Sequence, residues 1–279
     1  MKQLTKDQRV RVVAALCEGC SINSTVRLTG VSKPTILRLI RLMGEACEKY
    51  HNEHVRGLTV EKVQCDEVWS FCHCKERNVP EEKRGTFGYG DVWTWTALDA
   101  EKKLMISWFV GDRSGKSGTA FMQDVADRII NRVQLTTDGL KAYLDAVYSA
   151  FGSDVDHAVL QKVYANAPGG SSRYSPPEVV GVTSEVHCGA PDPRHVSTSF
   201  VERSNLTVRM SMRRFTRLTN AFSKKLANHE YAFALFAMHY NFCRKHMTLN
   251  TSPAVASGLA DHVWTIEELV RLLDVSTSV

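Results

Sequence analysis

The hydrophobic periodicity of this 279-residue chain changes near residue 59. Up to about residue 48, apolar residues recur at helical spacing, in segments separated by Gly19 and Gly30. From Thr59 onward, segments such as "TVEKVQCDEVWSF" and "DVWTWTALDA" are rich in β-branched and aromatic residues, which favour strands. A chain that changes period in this way is predicted to join a small helical module to a larger domain built on a sheet.

The first 50 residues are predicted to form three short helices, with Thr5, Ser21 and Ser32 as N-caps. A short helix, a turn and a helix that starts with small polar residues is the helix-turn-helix pattern, in which the last helix enters the major groove of DNA. The side chains predicted to face DNA are Lys33, Thr35, Arg38 and Arg41, and those predicted to pack inward are Ile36, Leu39, Ile40 and Met43. A small helical bundle that binds no DNA would show the same periodicity.

Residues 51–58 are polar and are predicted to be a linker to the larger domain. That domain is predicted to begin with three strands, the last two joined by the short "DAEKK" turn, and to continue with helix, strand and helix. Residues 165–195 are rich in Gly, Pro and Ser and are predicted to form a long irregular loop. Two long helices, over about 200–219 and 223–244, and a last helix, "TIEELVRLLD", complete an α/β domain with a mixed sheet.

Three carboxylates occupy positions from which they could converge on one point. Asp66 lies within the first strand, Asp138 follows a later strand, and Glu202 is the single acid in residues 200–219. Glu67 is predicted to face away from Asp66 and to be structural or an ion-pair partner, because adjacent residues of a strand point to opposite faces. Five arginines follow Glu202 and are predicted to bind DNA phosphates: Arg203, Arg209, Arg213, Arg214 and Arg217.

Carboxylates from separate elements suit hard divalent cations, because Mg²⁺ prefers oxygen ligands and keeps sites for water and phosphate oxygens. Two such ions about 4 Å apart can activate an attacking oxygen and stabilise the leaving one during displacement at phosphorus. The residues therefore predict metal-dependent chemistry on a phosphodiester, beside a basic surface that holds the nucleic acid.

Four segments, "CDEVWSF", "GDRSGKSGTAF", "TTDGLKAY" and the long block that begins "FVERSNLTVRMSMRRF", occur in this order. Together they resemble the transposases of the first-described bacterial insertion-sequence family, over roughly residues 60–250. The resemblance implies a DDE-type enzyme with an RNase H-like core, in which Asp66, Asp138 and Glu202 bind two Mg²⁺ ions, with Mn²⁺ as a substitute. It also implies cleavage and strand transfer at the terminal inverted repeats of an insertion sequence, with double-stranded DNA as the partner at both the element ends and the target.

On this interpretation the chain divides into a helix-turn-helix domain (1–50), a linker (51–58), a catalytic domain (59–250) and a C-terminal tail helix (251–279). Because cutting and joining two ends requires at least two protomers, we expect a homo-oligomer, at least a dimer on DNA. The polar N-terminus and the eight cysteines predict a nucleoid-associated cytoplasmic protein with reduced thiols and no membrane contact.

Two other functions share part of these features. A DNA-binding regulator would use the helices without the carboxylates, and a structure-specific RNase H-like nuclease would use the metals without specific DNA ends. Cys17 and Cys20 have C-x-x-C spacing but lack an evident second pair for zinc, and "CHC" at 72–74 is a weak metal motif. "GDRSGKSG" at 111–118 lies between a strand and a helix, but its spacing does not match a phosphate-binding P-loop.

Overall fold

The structure is a computed structural model that describes residues 4–164, 179–216 and 220–275. A mixed sheet of six strands carries helices on its faces. The strands are β1 (Lys62–Cys72), β2 (Gly90–Asp99), β3 (Met105–Gly111), β4 (Val133–Thr137), β5 (Val155–Tyr164) and β6 (Val179–Cys188). The helices are α1 (Lys6–Cys17), α2 (Ile22–Thr29), α3 (Lys33–His54), α4 (Gly115–Ala126), α5 (Ala142–Phe151), α6 (Ser199–Ser211), α7 (Leu226–Met238), α8 (Pro253–Ala256) and α9 (Ile266–Val275).

The strand order is β3-β2-β1-β4-β5-β6, which places β1 inside the sheet. β1 pairs antiparallel with β2 and parallel with β4, β4 pairs parallel with β5, and β5 pairs antiparallel with β6. The predicted hairpin of β2 and β3 is confirmed. A mixed six-stranded sheet flanked by helices confirms the predicted α/β class and is compatible with an RNase H-like fold.

The three N-terminal helices begin directly after the predicted N-caps, although Ser32 makes no side-chain capping hydrogen bond at α3. Thr5 and Gln8 form a reciprocal capping box at α1, and the Ser21 side chain accepts the amide of Ser24 at α2. Gly30 ends α2 in the left-handed conformation, at φ 71°. The four residues of α3 that were predicted to pack inward are buried: Ile36, Leu39, Ile40 and Met43.

The predicted linker is helical over its first four residues, because α3 continues to His54. The polar composition of this segment wrongly suggested a linker. Asn52, Glu53 and His54 lie on the exposed side of the helix, whereas His51 and Val55 are buried. The N-terminal helices also share one hydrophobic core with the sheet and the C-terminal helices. The proposed boundary at residue 50 therefore falls inside a helix, and the division into domains stays a prediction.

Part of the predicted irregular loop is a strand. β6 pairs with β5 along residues 179–188, and residues 165–178 lie outside the described part of the chain. The valines of "VVGVTSEVHC" favour a strand, but the Gly- and Pro-rich residues before them dominate the composition of the whole segment. The loop prediction is wrong for residues 179–188, and β5 was not predicted either.

The helix that carries Glu202 is shorter than predicted. α6 ends at Ser211, and Arg213 and Arg214 lie in a separate short 3₁₀ turn. The predicted long helix near the C-terminus is present as α7, followed by a π-helical turn over His239–Cys243.

The predicted last helix is α9, which packs against the N-terminal module. Leu269 and Val270 of α9 are buried in the shared core, and Glu267 forms an ion pair with Lys6 of α1 at 2.5 Å. Among the described residues, no helix has the length and apolar character needed to cross a bilayer.

Candidate metal-binding active site

The three predicted carboxylates line one cleft of about 740 Å³. Asp66 comes from β1, Asp138 directly follows β4, and Glu202 lies in the first turns of α6. The parallel register pairs Gln64 of β1 with Thr136 of β4, and its continuation by two residues brings Asp66 beside Asp138. Three segments that are far apart in sequence thus contribute acids to a single cleft.

The tightest acidic group is not the predicted one. Carboxylate oxygens of Asp66, Glu67 and Asp138 all lie within 4.8 Å of one another, whereas Glu202 does not belong to this group. Glu67 faces away from Asp66, as predicted: Asp66 contacts Asn205 of α6, whereas Glu67 lies near Tyr143 of α5. One carboxylate oxygen of each nevertheless approaches the other and Asp138. The predicted ion pair is present, since Arg113 Nη2 lies 3.0 Å from Glu67 Oε2.

Hydrogen bonds hold Asp66 in a fixed orientation. Asn205 of α6 donates its side-chain amide to Asp66 Oδ2 at 2.9 Å, and the backbone N–H of Glu67 donates to Oδ1 at 2.8 Å. The Thr96 hydroxyl of β2 donates to Asn205 Oδ1 at 3.2 Å. This network is buried at Thr96 and Asn205, so it connects α6 rigidly to β1 and β2.

A second set of contacts positions Glu202. Gln64 Oε1 of β1 accepts the backbone amides of Phe200 and Val201, at 2.9 and 3.1 Å, which satisfies donors that a helix start leaves unpaired. The Thr198 hydroxyl donates to Glu202 Oε1 at 2.6 Å, and Lys162 of β5 forms an ion pair with the same carboxylate. The start of α6 is therefore attached to β1, the strand that carries Asp66.

The carboxylates of the acidic group repel one another. Burial, and then the charge of Asp138, raise the pKa of Asp66 to about 6 and that of Glu67 to about 7. Burial also raises the pKa of Asp138. Like charges in a poorly solvated cleft favour the neutral carboxyl unless a cation compensates them.

The residues fit a hard divalent cation. Glu67 Oε1 is buried and has no hydrogen-bond partner at ordinary distance, although the Tyr143 hydroxyl is near enough to lower the pKa of this carboxyl. The neighbouring donors are all carboxylate oxygens, which Mg²⁺ and Mn²⁺ accept as ligands. Within residues 4–164, 179–216 and 220–275, no other cluster of three His, Cys, Asp or Glu side chains is close enough to share a metal. Cys17 and Cys20 are therefore not part of a metal-sized cluster there.

The residues predicted to contact DNA fall into three groups. Lys33, Arg38 and Arg41 are exposed on α3, with Thr35 partly exposed, and Arg203 and Arg213 are exposed near α6. Arg209 is half-buried, and Arg217 lies outside the described residues.

Arg214 turns inward instead of outward. Its Nη1 donates to Ser223 Oγ at 2.6 Å, and burial lowers the pKa of its guanidinium to about 10. Arg214 is half-buried and lies beyond the end of α6, so its side-chain direction does not follow helical spacing. Its contact with DNA phosphates stays a prediction.

Three cations line the cleft, Arg113, Lys141 and Lys162, and none of them was predicted as a functional residue. Arg113 lies in the turn between β3 and α4, with its guanidinium 4.4 Å from the centre of the Trp93 ring. Lys162 lies on β5, a strand that was not predicted. Arg113 could have been found in "GDRSGKSG", since that segment is one of the four that carry the family resemblance, but nothing in the local sequence indicates a role for Lys162. The rest of this turn starts α4, because Asp112 Oδ1 accepts the Ser114 amide at 3.0 Å.

Comparisons with known proteins give little further identification. No protein-family model matches the chain, and no curated protein is similar to it. A cryo-EM structure of the piggyBac transposase synaptic complex with hairpin DNA is similar over 99% of this chain and 71% of that chain, with 12% identity and a TM-score of 0.41. None of these comparisons supports the particular insertion-sequence family that the sequence motifs resemble.

Proposed function

We propose that this protein is a metal-dependent DNA transposase of the DDE type, which cleaves the ends of an insertion sequence and transfers them to target DNA. The observation that carries the proposal is the convergence of Asp66, Asp138 and Glu202 on one cleft, from three separate elements. The sequence motifs and the RNase H-compatible sheet support it, because such chemistry needs carboxylates that rigid elements bring together.

In this proposal Asp66, Asp138 and Glu202 hold the cations, and Glu67 lies beside Asp66 and Asp138 as a further carboxylate. Two Mg²⁺ ions, or Mn²⁺, would supply the charge that activates an attacking water or 3′-hydroxyl and stabilises the leaving oxygen. Asn205 orients Asp66, and Gln64 fixes the helix start that presents Glu202. Strand transfer needs no external energy source, because transesterification preserves the number of phosphodiester bonds.

DNA binding is assigned to exposed basic side chains. Lys33, Thr35, Arg38 and Arg41 of α3 would read the terminal repeats as a helix-turn-helix, and Arg203, Arg209 and Arg213 would hold phosphates near the cleft. A homo-oligomer, at least a dimer on DNA, would bring two ends together. In this proposal the protein acts on nucleoid DNA in the cytoplasm.

Cleavage of a labelled duplex tests the proposal, using the inverted repeats that flank the coding sequence and a random duplex of equal length. Asp66→Asn and Glu202→Gln should each lower Mg²⁺-dependent cleavage and strand transfer by on the order of 10³-fold or more. Both variants should still bind the duplex in Ca²⁺, because the exposed arginines are unchanged. Asp145→Asn, at an exposed position of α5, is the matched control and should retain activity.

Undiminished cleavage by Asp66→Asn would refute the catalytic assignment. Cleavage that depends on Asp66 but does not distinguish the repeats from random duplex would favour a structure-specific nuclease instead. Repeat-specific binding without any Asp66-dependent cleavage would favour a regulator.

A further inference from the structure

Lys162 occupies an unusual position in the cleft. Its ammonium contacts both carboxylate oxygens of Glu202, and the Thr198 hydroxyl donates to one of the same oxygens. The Lys162 side chain is 28% exposed and lines the cleft together with Asp66 and Asp138. The carboxylate that the proposed function assigns to a cation is therefore already neutralised by a residue of this chain.

A divalent cation and the Lys162 ammonium cannot both remain close to Glu202 without repelling each other, because two like charges a few ångströms apart interact strongly in a partly buried cleft. The other acids that line the cleft belong to the group around Asp66, where the same repulsion would apply. Lys162 thus needs a new anionic partner when cations bind, and a phosphate oxygen of the substrate is the group that the cleft is built to receive.

Arg113, another cation of the cleft, is held differently. Its guanidinium lies over the Trp93 ring and forms an ion pair with Glu67, whose side chain is only 1% exposed. A stacked guanidinium is fixed in place, whereas a lysine carries a compact charge on a flexible four-carbon chain. Arg113 and Lys162 therefore differ in their freedom to change partners.

We infer that Lys162 exchanges partners during substrate loading: it pairs with Glu202 in the metal-free cleft and with a phosphate oxygen of DNA once divalent cations bind. This inference rests on the proposed function, since it takes the cleft to bind cations and a phosphodiester. Lys162 acts in it as a competitor of the cations for Glu202 and as a ligand of the substrate.

The exchange predicts two effects of opposite sign for Lys162→Met, which keeps the apolar chain but removes the charge. Binding of Mn²⁺, measured by calorimetry without DNA, should become about fivefold tighter, because the competing ion pair is lost. Binding of the repeat duplex in Ca²⁺ should become roughly five- to tenfold weaker, with a shallower dependence on salt, because one phosphate contact is lost. Lys162→Arg keeps the charge and should restore duplex binding.

Lys141→Met is the matched control, since Lys141 also lines the cleft, is exposed and has no ion pair with a described carboxylate. It removes the same charge without breaking an ion pair to Glu202, so it should tighten Mn²⁺ binding much less than Lys162→Met does. Thermal unfolding in EDTA checks that each variant is folded, and Lys162→Gln provides a second replacement if Lys162→Met is not.

Unchanged or weaker Mn²⁺ binding by Lys162→Met would overturn the inference, as would unchanged duplex binding. If Asp66→Asn removes Mn²⁺ binding while Lys162→Met leaves it unchanged, the inference fails and the proposed function stands. If the unmodified protein shows no Asp66-dependent Mn²⁺ binding, the proposed function fails and the exchange fails with it.

Discussion

Two clusters of buried charge in this protein are built in opposite ways. Arg128, 2% exposed, donates to both carboxylate oxygens of Asp124 at 2.7 and 2.9 Å, to Asn52 Oδ1 at 2.5 Å and to the carbonyl of Val55 at 3.0 Å. The cleft instead collects Asp66, Glu67 and Asp138, with Arg113 as the ion-pair partner of Glu67. One cluster is neutral and hydrogen-bonded, and the other is an excess of one charge.

The pKa values record the same difference. Burial alone would raise the pKa of Asp124, but hydrogen bonds from Arg128 and Ser107 lower it below its ordinary value. Burial and Asp138 raise the pKa of Asp66 and of Glu67. A cluster that satisfies its own charges stabilises the fold, whereas a cluster of like charges costs stability and is satisfied by a ligand.

The largest expected change in the free energy of unfolding comes from disrupting the Arg128 cluster. Arg128→Met should lower the free energy of unfolding by about 3–5 kcal/mol, because it leaves Asp124 and the carbonyl end of α3 without their buried partner. Urea unfolding followed by circular dichroism measures the loss. Arg132→Met removes an exposed arginine that is paired with Asp156, and its loss should be much smaller. Equal losses for the two variants would show that burial of the ion pair does not determine its contribution to the free energy of unfolding.

A smaller effect of opposite sign is expected in the cleft. Asp138→Asn should raise the free energy of unfolding in EDTA by roughly 1–2 kcal/mol, because it removes one of three crowded negative charges. It should also remove the stabilisation by Mn²⁺, which is about 2.7 kcal/mol for the unmodified protein at a hundred times Kd. Urea unfolding with EDTA and with Mn²⁺ measures both changes, and Asp145→Asn should alter neither. A loss of stability in EDTA would place Asp138 among structural residues.

The sequence predicted the parts of the molecule whose causes are local. Thr5, Ser21 and Gly30 mark helix ends through hydrogen bonds and backbone conformations within a few residues, and they do so in the structure. The sequence also indicated that Asp66 and Asp138 could converge, and the parallel pairing of β1 with β4 brings them together.

What the sequence could not provide depends on distant partners. Lys162 is a candidate only because its ammonium contacts Glu202, 40 residues away in sequence. Arg214 lies beyond the end of α6 and donates to Ser223. Glu67 reaches the acidic group through its side-chain conformation, which strand alternation does not fix. Such contacts are set by tertiary packing, and local patterns contain no information about them.

The last expected effect concerns pH and distinguishes the two clusters by sign. The pKa values of Asp66 and Glu67 are raised on folding, so the stability that their neutral forms contribute is lost as pH rises through about 6 and 7. In EDTA, the free energy of unfolding should therefore fall between roughly pH 4 and about pH 7, by at most about 1.4 kcal/mol per pH unit for each carboxyl. Asp124, whose pKa is lowered, contributes in the opposite direction, and its contribution is lost only as pH falls below the ordinary range of a carboxyl.

Asp138→Asn supplies the control for this pH dependence. Without the Asp138 charge, the pKa values of Asp66 and Glu67 should return toward their ordinary range, so the decline of stability toward neutral pH should be shallower than in the unmodified protein. Urea midpoints measured in EDTA at half-unit pH steps resolve the two slopes. Equal slopes would mean that burial alone, and not repulsion between the carboxylates, sets the protonation of the cleft; a steeper decline in the variant would contradict the charge crowding from which the cation site is argued.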